Sequence, residues 1–335
     1  MNLNTAGWAS PLLRLLARLD SDGINSATPV TEINGGNISA TNADIALVAK
    51  GTGATLAQVP DGTIAGGNKR GTYATDLQKL RTASTQIALA TGSVITGGAN
   101  NSALADYTFI GGGSGNATGT GFNLTVCTGG QNNSATGAVC FIGGGSTNTA
   151  SANYAAIAGG QNNTVSGSHG FIGSGRRGTT RSIVGYHVFP ACSIPIADVA
   201  GVSQAGLLIL ARQTTDATAT VLTSDSSAAA ATNQVTLPNN SAYSFSGEVI
   251  AGITNGGNSA RWTIDGAIKR GSNAASTVMI GTPTVTMTHF DVGAAAWVVA
   301  VTADVTNGAI AVTVTGAAST TIRWVAKIET VEMTY

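Results

Sequence analysis

Charged side chains are scarce in this chain and make up 10% of its 335 residues, against about 25% in an ordinary soluble domain. Lysine plus arginine equals aspartate plus glutamate in number, so the formal net charge is zero. This balance provides no basic surface for a nucleic acid and no attraction to an anionic membrane. The apolar runs are also much shorter than the roughly 20 residues that span a bilayer. We therefore expect no nucleic-acid partner and no membrane-spanning segment.

Cysteine is also rare, with three residues, Cys127, Cys140 and Cys192, at spacings without a pattern. An odd number of cysteines without a Cys-x-x-Cys motif predicts reduced thiols, neither a disulfide framework nor a metal site. No Gly-x-Ser-x-Gly motif and no phosphate-binding loop is present, so we expect no cofactor. Charges interrupt the apolar segment at residues 11–19, which therefore does not resemble a signal peptide. The expected place of synthesis is a cytoplasm.

Glycine, in contrast, is abundant, with 45 residues. It does not recur at every third position, which excludes a collagen-like helix. Since 43% of the residues are hydrophobic and valine and isoleucine recur in periodic runs, disorder is a poor explanation. An extended all-β structure with many tight turns accounts for both observations, because glycine adopts turn conformations that other residues avoid.

A repeat of about fifteen residues occupies the middle of the chain. An apolar residue followed by a small residue and glycines recurs at Ile95, Ile110, Cys127, Ile142, Ile157 and Ile172. Six positions later the first five copies carry Asn101, Asn116, Asn133, Asn148 and Asn163, and the sixth carries Gly178. Fifteen residues can form two short strands and two turns, which is one coil of a β-solenoid.

The expected coil has simple physical requirements. Glycine pairs supply positive φ at a turn, and the repeated asparagines tolerate the same backbone region and can stack their amides in a ladder. A coil of this size has little room inside, so we expect copies to stack and three chains to share an axis. The predicted assembly is a homotrimer.

The segments Ile142-Gly-Gly-Gly-Ser-Thr-Asn-Thr-Ala150 and Ile157-Ala-Gly-Gly-Gln-Asn-Asn-Thr-Val165 resemble head repeats of trimeric autotransporter adhesins and related repeats of phage tail fibres. Residues 46–54, 60–71 and 76–78 are similar to a lead-in common in phage and prophage fibre proteins. The resemblance covers roughly residues 45–180 and implies a homotrimeric left-handed β-roll. The turns here are longer and richer in glycine than those of the adhesins. The adhesins' signal peptide and C-terminal membrane barrel are not recognised, which favours a virion protein.

A short amphipathic helix is predicted after Ser10 and Pro11, which form a good helix start. Leu12, Leu16 and Leu19 lie on its apolar stripe and are the candidate residues for docking to a phage baseplate or another virion protein. Packing of this helix on its own chain is the alternative. The sequence suggests four regions: an attachment segment at 1–44, a shaft at 45–180, a neck or linker at 181–240 and a receptor-binding knob at 241–335.

The C-terminal region is predicted to be an antiparallel β-sandwich. Strands are expected at Phe245–Ile253, Arg261–Ile268, Val278–Thr288, Trp297–Val305, Ala309–Val314 and Thr321–Met333. From Leu237 onward it resembles the terminal domain of many phage and prophage tail fibres. The candidate receptor-binding residues are Trp262, Trp297, Tyr243, Phe290 and Asp291. Core packing is the alternative for the tryptophans, since alternation places Trp324 on an apolar face.

Two clusters of charged residues have an ordinary structural explanation. Lys69, Arg70, Lys79 and Arg81 are interpreted as a solvated face, and Ala74–Ser84 as a helical turn or an interruption of the solenoid. The arginines at 176, 177 and 181 end the repeat. They are expected at the rim of the shaft or in ion pairs with carboxylates of neighbouring chains, and binding of an anion is the functional alternative.

These features predict a structural tail fibre of a bacteriophage, located in the virion and recognising the host through a surface glycan or protein bound at its C-terminal region. We expect no enzymatic activity, because glycan cleavage uses two carboxylates that flank the bond, whereas residues 94–175 contain one acid, Asp106. The alternatives are a tailspike that depolymerises polysaccharide and a bacterial surface adhesin.

Overall fold

A computed structural model describes residues 52–120, 124–190 and 194–335. Over these ranges the chain is all-β, and its only helices are the 3-10 turns at Ala274–Ser276 and Val292–Ala294. Neither turn has the length or the apolar character to cross a membrane. The predicted N-terminal helix with Leu12, Leu16 and Leu19 lies outside the described residues, and its docking role stays a prediction.

Twelve two-residue strands build the first part of the described chain. They are β1 Thr55–Leu56, β2 Thr75–Asp76, β3 Val94–Ile95, β4 Phe109–Ile110, β5 Ala117–Thr118, β6 Val126–Cys127, β7 Ser134–Ala135, β8 Phe141–Ile142, β9 Thr149–Ala150, β10 Ala156–Ile157, β11 Thr164–Val165 and β12 Phe171–Ile172. Strands β1, β2, β3, β4, β6, β8, β10 and β12 form one parallel ladder, and β5, β7, β9 and β11 form a second. The result is a β-solenoid of about seven turns, which confirms the sequence prediction.

The register of the solenoid follows the repeat. Ile142 pairs with Ile157, and Ile157 pairs with Ile172, so each anchor lies directly on the next. The ladder also extends toward the N-terminus through β1 and β2, whose coils are longer than fifteen residues. The segment Ala74–Ser84 belongs to these early coils and contains no helix, so its interpretation as a helical turn is wrong.

The interior of each coil is filled by one chain. The anchors Ile95, Ile110, Cys127, Ile142, Ile157 and Ile172 are fully buried, and so are Ala103, Ala135, Ala150 and Val165 from the opposite side of the coil. Burial raises the pKa of the Cys127 thiol, as expected for a cysteine that packs as an apolar residue. A single chain therefore encloses a core, and thinness of the coil does not by itself require partner chains. The homotrimer stays a prediction.

The repeated asparagines form a continuous buried ladder. The backbone N–H groups of Asn116, Asn133, Asn148 and Asn163 each donate to the side-chain Oδ1 of the asparagine one coil earlier, at 3.0 Å. Each Nδ2 donates to a glycine carbonyl of its own coil and to one of the next coil; for Asn148 these are Gly144 and Gly160. Gln78 begins the ladder, donating to the carbonyl of Asn101 and accepting from its N–H.

The residues with left-handed backbone geometry are those that precede each ladder asparagine, not the ladder asparagines themselves. Asn100, Asn132, Thr147, Asn162 and Arg177 have positive φ, which corrects the expectation that the ladder asparagines adopt this conformation. The glycine pairs do supply positive φ. Gly145 has φ +88°, and a Cβ there would lie 2.1 Å from the backbone carbonyl oxygen of Gly160 in the next coil, so only glycine fits.

Eleven further strands build the second part of the chain. They are β13 His187–Pro190, β14 Ser203–Thr214, β15 Thr220–Val221, β16 Val235–Thr236, β17 Ser241–Ile253, β18 Ser259–Arg270, β19 Val278–Met279, β20 Thr284–Phe290, β21 Val298–Asp304, β22 Ala309–Thr315 and β23 Ile322–Thr334. The expected strand at 278–288 is divided into β19 and β20, because Gly281 has φ +74° and Pro283 lies two residues later. The other five expected strands are observed, with ends that differ by a few residues.

One continuous sheet joins the solenoid to the C-terminal region. Strand β13 pairs parallel with β12 and antiparallel with β14. The sheet then continues through β23, β17 and β18, with β19 and β20 both pairing β18. A separate sheet of the C-terminal region contains β15, β22 and β16, and β21 pairs with β22. The four domain boundaries suggested by the sequence stay predictions.

Three tryptophans lie in the shared hydrophobic cluster of the C-terminal region. The ring centroid of Trp324 is 5.7 Å from those of both Trp262 and Trp297. The Trp324 Nε1–H donates to Thr214 Oγ1 at 2.9 Å, which satisfies the one polar atom of a fully buried ring. Residues of both C-terminal sheets belong to this cluster.

Candidate functional site

A surface cleft of about 560 Å³ lies on the outer face of the long sheet, where β17, β18 and β20 are neighbours. It is lined by Ile250, Ser259, Ala260, Arg261, Thr288, His289, Phe290 and Asp291. Ile250 is paired with Arg261, and Arg261 with His289, so side chains of three adjacent strands meet here on one face. We call this feature the tip cleft.

A β-bulge shapes the tip cleft. Arg261 pairs with His289 and Trp262 with Met287, so Thr288 is an extra residue on β20. Such an insertion bends a strand and redirects its side chains. Here it accompanies a hydrogen bond from Arg261 Nη1 to Thr288 Oγ1 at 3.2 Å. The bulge thus brings a hydroxyl against the guanidinium.

Charged groups of both signs line the tip cleft or adjoin it. Arg261 Nη2 donates to Glu248 Oε1 at 2.7 Å, in a partly exposed ion pair. Asp291 Oδ2 accepts from the backbone N–H of Ser259 at 2.8 Å. Among the described residues, Asp291 Oδ1 accepts no hydrogen bond and Arg261 Nε donates none. These two groups are available to a ligand.

An exposed aromatic residue lines the same cleft as these charges. Phe290 is 53% exposed although it ends a strand of a well-packed sheet. Asp291 follows as the residue before the 3-10 turn, and Gly293 in that turn packs against Asn258, whose amide lies 2.0 Å from where a Cβ would be. The close contact fixes the turn on the β17–β18 connection. A ring, a carboxylate and a guanidinium on one concave surface can hold a ligand rich in hydroxyl groups.

The structure separates the five candidate receptor-binding residues into two groups. Trp262, Trp297 and Tyr243 are 3%, 3% and 1% exposed, so their rings lie in the core and are not at the surface. Phe290 and Asp291 line the tip cleft. The sequence did not single out Arg261, His289 or Ile250 as site residues. The only available signal was alternation along β18, which places Arg261 on the face opposite Trp262.

A second polar cluster is buried at the end of the solenoid. Glu332 on β23 is ion-paired with Arg181 and accepts hydrogen bonds from Tyr186 and from Gln204 Nε2, the latter at 2.7 Å. The guanidinium of Arg181 also lies over the ring of Tyr243, 5.6 Å from its centroid. We call this group the junction cluster. Its members come from the last coil of the solenoid and from β14, β17 and β23, so it joins parts of the fold.

Burial of the junction cluster changes two ionisation equilibria. Desolvation, and then the charge on Glu332, raise the pKa of Tyr186 well above its ordinary value. The same two causes in the same order raise the pKa of Tyr243. Both phenols are therefore held in the neutral form over a wide pH range.

Four other arginines also form ion pairs within this chain. Arg176 and Arg177 both bond Asp198 at the surface, and the hydrogen bond from Arg177 is the main cause that lowers the pKa of that carboxyl. Pairing of these arginines across chains is therefore not needed. Near the start of the solenoid Arg70 and Arg81 are buried against Asp76 at 2.7 and 3.1 Å, so the interpretation of this cluster as a solvated face is wrong for those two arginines.

No family model matches the sequence, and no curated protein matches it. A comparison of structures matches it to a tailspike protein, gp49, of the Acinetobacter baumannii bacteriophage Fri1, described as a capsular polysaccharide depolymerase. The identity is 10% and the TM-score 0.22, over 83% of this chain and 56% of that chain. The chain therefore spans little more than half the length of the matched protein.

The prediction that this chain is not an enzyme is contradicted by that comparison, since the matched protein is an enzyme. A likeness at 10% identity and a TM-score of 0.22 does not in turn assign an activity to this chain.

Proposed function

We propose that this chain is a host-attachment protein of a bacteriophage virion, a fibre or spike whose C-terminal region contacts the bacterial surface. The observation that carries the proposal is the tip cleft, which is lined by exposed Phe290 together with Arg261 and Asp291. The cleft lies on a sheet that continues into the solenoid without a break in pairing. A binding surface fixed in this way to a repetitive, extended ladder suits attachment at a distance.

The proposal includes a C-terminal sandwich knob and attachment of the N-terminal segment to a baseplate or another virion protein. Two sheets that share one tryptophan cluster support the knob. The docking segment rests on the sequence pattern of Leu12, Leu16 and Leu19 alone.

The proposal also includes a homotrimer, supported by an apolar stripe along the outside of the solenoid. The stripe consists of one outward-facing residue from each successive coil of the long ladder: Phe109, Val126, Phe141, Ala156 and Phe171. Phe109 and Phe141 are among the exposed large apolar side chains. Next to the stripe runs a second exposed column that includes Tyr107, Leu124, Val139 and Tyr154. Contiguous exposed apolar surface of this kind marks an interaction site.

The test of the proposed function is binding of the purified full-length protein to bacterial cells. Fluorescently labelled protein is incubated with a panel of strains, before and after removal of capsule or lipopolysaccharide. Binding to some strains, lost on Phe290→Ala and retained by Tyr335→Ala, is expected. Tyr335 is a suitable control because its exposed ring lies outside the cleft lining.

Two outcomes of this test lead to different conclusions. If no strain binds the protein, or if Phe290→Ala binds as well as the unchanged chain, attachment through the tip cleft is refuted. Release of reducing ends from the purified polysaccharide, followed in parallel, distinguishes a glycan-cleaving spike from a fibre that only binds.

A further inference from the structure

The charges at the tip cleft determine which kind of ligand it suits. Arg261 is already neutralised by Glu248 at 2.7 Å, and Asp291 adds a further negative charge. Arg261, Glu248 and Asp291 together carry a formal net charge of −1. An acidic sugar would have to compete with Glu248 for Arg261 while it was repelled by Asp291.

The hydrogen-bonding groups at the tip cleft suit hydroxyls. Asp291 Oδ1 is an acceptor without a partner among the described residues, and Asp291 Oδ2 is held in place by the Ser259 N–H. The guanidinium of Arg261 is fixed on two sides, by Glu248 and by Thr288, and keeps Nε–H as a donor. A hydroxyl both donates and accepts, so one or two sugar hydroxyls can satisfy both groups at once.

The apolar groups at the tip cleft suit the remaining face of a sugar ring. Phe290 and Ile250 are about half exposed and line the same cleft as Arg261 and Asp291. The C–H face of a pyranose can cover the aromatic ring, which recovers the apolar area that the fold leaves in water. The cavity of about 560 Å³ lies within the range of small-ligand sites.

We propose that the tip cleft binds a neutral pyranose of a surface glycan, with its hydroxyls on Asp291 and Arg261 and its apolar face on Phe290. This inference rests on the proposed host-attachment function and specifies the ligand class of the same site.

The test uses the full-length protein and an array of oligosaccharides. The array carries neutral hexose and N-acetylhexosamine chains beside chains that contain uronic acid or sialic acid. Binding to neutral chains is expected, with a loss of about tenfold or more for both Phe290→Ala and Asp291→Asn, because each removes an interaction of about 1.5 kcal/mol or more. Tyr335→Ala and Asp216→Asn are the matched controls, since both residues are exposed and neither lines the cleft.

Salt provides an independent readout. Raising the salt from about 0.1 M to about 1 M shortens the Debye length from about 10 Å to about 3 Å. Binding of a neutral sugar should change little. A steep loss of affinity with salt, or binding of the acidic chains alone, would overturn the inference.

The remaining outcomes separate this inference from the proposed function. If the protein binds cells but no neutral chain on the array, the ligand class is refuted and attachment stands. If it binds neither cells nor glycans, the proposed function itself fails. If Phe290→Ala changes the mass of the particle in solution, the cleft is a contact between copies and the sugar site is refuted.

Discussion

Arg181, on the last coil of the solenoid, is ion-paired with Glu332, which lies 151 residues later on the final strand of the chain. The pair connects the last coil with β23, the fourth strand in the order β12, β13, β14, β23 of the long sheet. The side chain of Glu332 is fully buried, so its charge depends entirely on Arg181, Tyr186 and Gln204 for compensation.

Removing one partner of the buried ion pair should destabilise the C-terminal region. Glu332→Gln leaves Arg181 without its carboxylate, and losses of this kind cost about 3–5 kcal/mol. Thermal unfolding followed by circular dichroism should show a lower midpoint. The double variant Arg181→Met with Glu332→Gln should recover part of the loss. Arg177→Met, which breaks an exposed pair with Asp198, should have no measurable effect; a similar loss from both single variants would contradict the role of the junction cluster.

The junction cluster should also make the protein sensitive to alkali. The pKa of Tyr186 and that of Tyr243 are both raised in the folded state, mainly by burial. Stability from these groups is therefore complete below the ordinary tyrosine value of about 10 and declines as the pH rises above it. Unfolding midpoints measured between pH 7 and pH 11 should fall above pH 10. Tyr186→Phe should have a lower midpoint at pH 7, because Glu332 loses a donor, and a shallower alkaline decline. An unchanged alkaline decline in this variant would exclude Tyr186 as the titrating group.

Interrupting the asparagine ladder should weaken the solenoid. Asn148→Ala removes the Oδ1 that accepts from the Asn163 N–H and leaves this buried donor unpaired, a cost of about 1–3 kcal/mol for each unsatisfied group. Asn153→Ala is the matched control, because that side chain is exposed and its one bond, from the Ala138 N–H, lies at the surface. A lower unfolding midpoint is expected for Asn148→Ala alone. Equal effects of the two changes would show that the ladder has no special stabilising role.

Thr147, a β-branched residue, has left-handed backbone geometry, and its replacement by asparagine should increase the stability of the solenoid. Thr147 has φ +58°, whereas the equivalent positions of other coils carry Asn100, Asn132 and Asn162. Asparagine adopts this conformation at lower cost than threonine. Thr147→Asn should therefore stabilise the solenoid by roughly 0.5–1 kcal/mol. The control, Thr149→Asn, places asparagine in strand β9, where its low strand propensity should be unfavourable. A lower midpoint for Thr147→Asn would contradict the strain at this corner.

The apolar stripe on the solenoid predicts the mass of the particle in solution. Light scattering should give about 100 kDa, three times the 33.2 kDa of one chain. Phe141→Asp places a charge on the stripe and should reduce the mass to that of the monomer, because an unpaired charge is costly in an apolar contact. The β spectrum should persist, since Phe141 points away from the coil interior. Ser151→Asp, at an exposed site off the stripe, should leave the mass unchanged. A monomeric unchanged chain would refute the homotrimer.

The solenoid could be predicted from the sequence because its interactions are local and periodic. Ile142, Asn148 and Gly145 each contact the equivalent residue one coil away, so the same residue types recur at the same spacing. The sequence places the shaft at residues 45–180 but shows the fifteen-residue period only from Ile95 onward, because the coils that begin at Thr55 and Thr75 have longer loops. The left-handed corner was placed one residue late, since an asparagine at either position has a similar sequence signature.

The tip cleft and the junction cluster could not be predicted in this way. Arg261 and Phe290 are brought together by the pairing of β18 with β20 and by a bulge, and Arg181 and Glu332 by a sheet that spans 151 residues. The residues that these side chains contact do not recur at a regular spacing in the sequence. Only the tertiary pairing of strands decides which charged groups meet. By itself the sequence determined the all-β class and the repeating coil, because hydrophobic alternation and glycine turns act over a few residues. The tertiary structure alone decided that Trp262 and Trp297 are core and that Phe290 is surface, because burial depends on which strands cover each face.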